Sequence, residues 1–221
     1  MRKEHRKLHI DRDFRDLTRP LSKVEYQRLE TRVLQGNCRK AVVSWNGIIL
    51  QGFELYSICA RHRLPFQHEV KTFECREDAI SWVCRRELQS TRLTEERFHF
   101  LLGVCYNAEC KANRYHREHA LPHERVPFIS GRAIAEDLGN TFHVSWGAVK
   151  MYDTYSRALL TIRTECRNLF VGIVSGRIKL SREIVFALSK MKPSEVEAFY
   201  NAIAAETMNY KDARKLFNDM D

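Results

Sequence analysis

Residue types that do chemistry are plentiful in this chain, and their spacing sorts them. Cys105, Cys110, His116, His119 and His123 could be assembled into a metal site, but the intervals match no common zinc signature, and both residue types are frequent here. Glu54, Glu74, Glu77 and Asp78 lack the spacing of paired carboxylates, and the sequence sets no lysine or histidine beside them. These residues assign neither a catalytic group nor a metal.

The informative stretch is 131–158. From Gly131 to Gly139 the order GRAIAEDLG predicts a short helix with Ile134, Ala135 and Leu138 facing inward and Gly139 as its C-cap. Val144 and Ser145 lead into WGAVKMY, where Ser145 caps a second helix and Val149 packs back on the first. A small residue such as Ala135 permits a close helix crossing, which is the arrangement of a helix-turn-helix. In that arrangement the first turn of the second helix enters the major groove of duplex DNA. Residues Trp146, Gly147 and Lys150, with Met151, then lie nearest the bases, and Ser145 either caps or meets phosphate. Arg132, Arg157 or the basic N-terminal arm are the expected phosphate contacts. Against this stands the plainer reading of two amphipathic helices with Lys150 as a solvated charge. Asn140, Thr141, Phe142 and His143 also lengthen the connection beyond a tight turn.

The elements that position this stretch follow from the rest of the sequence. Residues 1–20 hold seven Lys or Arg and little apolar periodicity, so a solvated arm is expected. Ser22 and Glu25 form a capping box for a helix through Tyr26, Leu29, Val33 and Leu34. AVVSW at 41–45 and IILQ at 48–51 flank Asn46-Gly47, the strongest hairpin signal in the chain. Gly52 releases the backbone into a helix that stops near Pro65, followed by a strand over 68–73 and a helix over 77–89. Thr94 caps a long helix, and further helices carry Leu169 to Val174, Ile184 to Leu188 after Ser181, and Val196 to Ala204 after Pro193. The class is α+β: a small α+β domain followed by an all-helical one. The expected divisions are a basic arm over 1–19, the α+β domain over 20–93, a connecting helix over 94–121, the helix-turn-helix domain over 122–193 and a helical extension over 194–221.

Composition narrows the class of function. No run approaches the roughly 18–20 apolar residues of a membrane span, so no membrane is expected as a partner. Seven cysteines, an odd number without a CxxC pair, read as thiols in a reducing compartment. The net charge of +9 favours a polyanionic partner. The surplus lies over 131–180, with seven basic and four acidic residues, rather than over 181–221, with six and seven.

In the order of its pieces the chain resembles the ParB-like family of chromosome and plasmid partition proteins and their relatives on mobile elements. The resemblance covers roughly 20–195 and rests on PLSKVEYQRLE, AVVSWNGIILQGFELYSICARHRLPF, EDAISWV, LTEERFHFLLG, GRAIAEDLG, VSWGAVKMY and SGRIKLSREIVFALSKM. It implies an N-terminal ParB and sulfiredoxin-like fold joined to a helical DNA-binding domain, acting as a homodimer on double-stranded DNA in the bacterial cytoplasm, on a nucleoid or a plasmid. Partition members bind CTP with magnesium through a glycine and arginine box. Here that box falls on Gly52-Phe53-Glu54-Leu55, with leucine in the place of the phosphate-binding arginine, and a second segment falls on Leu88 to Arg92. Gly52, Glu54 and Arg92 are thus the candidate nucleotide contacts, and Phe53 stands where the sulfiredoxin catalytic cysteine would be. Three functions follow in order: a sequence-specific regulator or partition accessory factor, a CTP-dependent DNA clamp, or a scaffold with a degenerate nucleotide site that binds another protein, suggested by the missing box residues and by exposed positions such as Trp45 and Phe53. No cofactor is expected under the first reading.

Overall fold

The structure, a computed structural model, describes residues 3–4, 7–121, 123 and 126–205. The chain divides into two compact units, Met1–Glu87 and Leu88–Asp221. The first runs β1 (Lys3–Glu4), α1 (Arg12–Leu17), α2 (Lys23–Leu34), β2 (Ala41–Trp45), β3 (Ile48–Gln51), α3 (Phe53–Arg61), β4 (Phe66–Val70) and most of α4 (Arg76–Leu88). The second carries α5 (Glu95–His119), α6 (Gly131–Phe142), α7 (Trp146–Glu165), α8 (Arg167–Val174), α9 (Arg182–Leu188) and α10 (Pro193–Ala205). The class is α+β. Residues 206–221 of the expected C-terminal extension lie outside the described residues.

In the first unit the strand order is β1-β4-β2-β3. Asn46 and Gly47 take φ of 48° and 78°, the left-handed pair that a two-residue hairpin requires, and so join β2 to β3. β4 returns parallel to β2, with Ala41 opposite Gln67 and Ser44 opposite Val70, so α3 is the crossover that such a connection needs. Gly52, at φ 87°, turns β3 into α3, and a Cβ there would sit 3.2 Å from Val42 Cα. The strand expected over 68–73 begins and ends earlier, at Phe66 and Val70. Its start is fixed by the buried Phe66 ring, and Phe73 leaves the ladder to accept a hydrogen bond from Trp45 Nε1 at 3.0 Å.

Residues 7–19 are not a solvated arm. The Leu8 amide donates to the Tyr56 hydroxyl at 3.0 Å, and His9 exchanges backbone hydrogen bonds with Gly47 and Ile49 at 2.8 and 2.9 Å. Asp11 caps α1, whose Phe14 and Leu17 are buried, and Arg76 lies over the Phe14 ring while pairing with Asp11 and Asp13 at 2.8 and 2.9 Å. High charge density misled the reading of this segment. Arg76 covers apolar surface while its charge is met by two carboxylates, so a charged strip can be packed.

The second unit is built around α7. Gly103 of α5 lets the backbones of α5 and α7 meet: a Cβ at that position would lie 2.0 Å from Tyr152 O. Phe100, Leu101, Leu102 and Cys105 from α5 and Val149, Tyr155, Leu159 and Ile162 from α7 are buried there. Phe100 also meets Phe170 of α8 edge-on at 5.3 Å. Thr94 caps α5, accepting from the Arg97 amide at 3.2 Å and donating to Val174 O at 3.0 Å. Among the described residues no helix is long and apolar enough to cross a membrane.

Candidate nucleic-acid interface

The α6–α7 connection is tighter than its sequence suggests. Gly139 does not end α6; the helix continues through Asn140, Thr141 and Phe142, and His143 at φ 57° is the left-handed cap. The four residues expected to lengthen the turn therefore mostly lengthen the helix, leaving His143, Val144 and Ser145 as the connection. Phe142 explains the extension, since its ring meets Phe98 of α5 edge-on at 6.5 Å. Gly139 serves another purpose: a Cβ there would fall 2.6 Å from Val144 O, so only glycine lets the turn fold back this closely. Ile134, Ala135, Leu138 and Val149 are buried between the helices, as the spacing predicts.

Ser145 resolves as a cap, its Oγ accepting from the Ala148 amide at 3.1 Å. The first turn of α7 then emerges from the packed part of the helix. Trp146 is 42% exposed, and Gly147 and Lys150 are exposed beside it. Arg132, near the start of α6, joins them: its guanidinium lies 4.9 Å from the Trp146 ring centre, with the Lys150 ammonium at 6.0 Å. Glu136 holds Arg132 from the other side at 2.8 Å, and the arginine side chain stays 67% exposed. Two cations, an indole and a bare backbone position thus share one surface.

Two further expected contacts have partners within the chain. Met151 turns toward α9, its Sδ accepting from Arg182 at 2.9 Å, so it does not share the exposed face of Trp146 and Lys150. Arg157 lies about 10 Å beyond Lys150 along the helix axis. It forms a two-point pair with the largely buried Asp153 at 3.0 and 2.6 Å, which raises the arginine's pKa. Asn107 donates to the same carboxylate at 3.4 Å. Arg157 remains 63% exposed, about three turns along α7 from Trp146.

Sequence reasoning missed what lies behind α7. His99 stacks on Tyr152 with ring centres 4.1 Å apart, and Phe98 and Tyr155 close the cluster edge-on. Burial pulls the His99 pKa below its ordinary value and pushes that of Tyr155 up to about 12. Arg182 also escaped notice, because no local pattern links a residue of α9 to one 31 positions earlier.

The remaining candidates fall in both units. Gly52 and Glu54 belong to the first unit and Arg92 to the second. Leu55, in the place of the expected arginine, is buried, and the Arg92 amide donates to Ser90 Oγ at 3.3 Å. Trp45 and Phe53, expected as exposed anchors for a protein partner, are both buried in the first unit's core, which removes one of the two observations behind the scaffold reading and leaves the altered nucleotide box as the other. Among the described residues Cys105, Cys110, His116, His119 and His123 do not come together in one metal-binding group. Cys105 faces Glu109 at 3.4 Å, and His119 stacks on Tyr115 at 3.9 Å.

No family model and no curated protein matches this sequence. The chain is similar to a solved structure of a Pnob8-like ParB-N domain, at 13% identity and a TM-score of 0.47, over 97% of this chain and 94% of that one.

Proposed function

We propose that this protein is a ParB-like binder of double-stranded DNA that reads sequence in the major groove with the first turn of α7. The observation that carries the reading is the exposed set Arg132, Trp146, Gly147 and Lys150 at the outer end of a helix whose next turns are buried. A helix held this way presents its amino end to base edges, while its body fixes the angle of approach. Ser145 occupies the capping position, so the terminal amides are ordered without a ligand. Arg132 and Arg157 supply phosphate contacts, and the net charge of +9 draws the protein to the polyanion. Two-fold related half-sites call for a homodimer, which solution mass on and off DNA reports.

The test begins with fragments of genomic DNA selected by the full chain and sequenced. A single operator marks a regulator; clustered sites mark a partition or accessory factor of a chromosome, plasmid or integrated element. On the selected site, Trp146→Ala with Lys150→Ala is expected to weaken binding roughly 10- to 100-fold at matched salt, the loss of one or two base-edge contacts. Unchanged affinity overturns the assignment of this helix.

A further inference from the structure

We infer that Asp153 is a positioning residue for DNA binding: its carboxylate holds the Arg157 guanidinium in a fixed orientation for a phosphate of the duplex backbone, an inference that rests on the DNA-binding reading above. At about 3.6 residues per turn, positions 146, 150, 153 and 157 of α7 fall on one side of the helix, within an arc of about 60°. The first two, Trp146 and Lys150, are the exposed pair at its outer end. Asp153 differs from them in being buried, at 7% exposure. Arg157 returns to the surface at 63% exposure, about 10 Å further along the axis than Lys150.

A buried carboxylate on the side of a helix that meets a polyanion costs solvation and sets a like charge behind the contact surface. What it supplies is geometry. Asp153 accepts from Arg157 Nε at 3.0 Å and Nη2 at 2.6 Å, and from Asn107 Nδ2 of α5 at 3.4 Å, so the carboxylate is itself anchored to a second helix. The guanidinium is thereby held at two points, which use two of its five N–H donors and leave the others on an exposed side chain. A free arginine surrenders its rotamer freedom when it meets a phosphate; here much of that freedom is already lost in the unbound protein. A major groove about 12 Å wide puts its phosphate walls within reach of a cation about 10 Å along the helix from the base-reading turn.

The carboxylate's charge and its geometry predict opposite signs. Asp153→Asn keeps the side chain's shape, leaves one oxygen to accept, and adds one positive charge to the net +9, so charge alone makes the variant bind DNA more tightly. Loss of positioning makes it bind more weakly. The experiment titrates the full chain against the duplex selected from genomic DNA over a range of salt, with the melting temperature measured for each variant. Asp153→Asn is expected to weaken binding roughly three- to tenfold, the cost of immobilising one long side chain, with the salt slope kept because Arg157 still reaches its phosphate. Arg157→Lys, which keeps the charge without the two-point fork, loses affinity in the same way and keeps the slope. Arg157→Ala is expected to lower the slope by about 0.9, one phosphate's share. In the Arg157→Ala background Asp153→Asn then has no further effect on affinity, whereas damage to the fold weakens binding in both backgrounds.

Tighter or unchanged binding by Asp153→Asn, or an equal loss in both backgrounds, overturns the positioning role and leaves the DNA reading intact. So does an unchanged slope in Arg157→Ala while Lys150→Ala still loses affinity. Failure to select any fragment at low salt overturns both.

Discussion

Glycine positions in the second unit sort into those that meet backbone and those that meet space. At Gly103 a methyl group would overlap Tyr152 O, so Gly103→Ala must push α5 and α7 apart where their backbones meet. Such overpacking costs about 1–3 kcal/mol, and the backbone on the other side places this case near the upper end. Gly147→Ala meets no such obstacle and removes unfolded-chain freedom, for a gain of up to about 1 kcal/mol. Urea unfolding of the two variants should move in opposite directions; a neutral Gly103→Ala would show that the two helices separate easily.

The same contrast separates residues that the sequence made legible from those it hid. Ser22, Thr94, Ser145 and Ser181 were readable as caps because each bonds an amide three residues on, wholly within local sequence. Gly139 was misread because what it approaches, Val144 O, is fixed by a turn that tertiary packing shapes. The Met151–Arg182 contact was hidden because the partner comes from α9.

Among the elements, α7 couples its exposed end to the aromatic cluster behind it. His99 of α5 stacks on Tyr152, one turn and a half beyond Trp146, with Glu95 at 3.7 Å, and Glu96 and Arg182 acting on it through charge. Its folded pKa lies below the ordinary ~6.5. The unfolded chain therefore takes up the proton first, so the stability contributed by neutral His99 is present above about pH 6.5 and is lost as pH falls toward the folded value. Melting of the second unit is expected to fall more steeply from pH 7.5 to 5.5 in the wild type than in His99→Phe. Parallel curves would remove His99 as the cause.

Element existence was well predicted wherever periodicity or turn chemistry is local: the Asn46-Gly47 hairpin, the long α5, and the helices after Ser181 and Pro193. The N-terminal segment was not, since the gain from burying Phe14 and Leu17 comes from distant partners and leaves no periodic mark in a run of charges.

As a whole molecule, the chain has two compact units, and separable stabilities are expected of them. Calorimetry is expected to resolve two transitions. Leu55→Arg, which restores the residue type expected at the nucleotide box, would bury a guanidinium in the first unit and lower that transition alone. Gly103→Ala would lower the other. One cooperative transition shifted by both variants would show that the units melt together. Magnesium and CTP raising the first transition of the wild type would reinstate nucleotide binding at α3.

The short connection from α6 to α7 has a further consequence for how such a protein diversifies. Support for α7 is carried by Val149, Tyr155, Leu159 and Ile162, while positions 146, 147 and 150 face outward and bear little of the interior. Heritable change at those three positions leaves the scaffold beneath intact, whereas the glycine under the turn has almost no freedom to vary. Under the DNA-binding proposal, a lineage of such proteins would drift quickly in what it recognises and slowly in how it holds the helix.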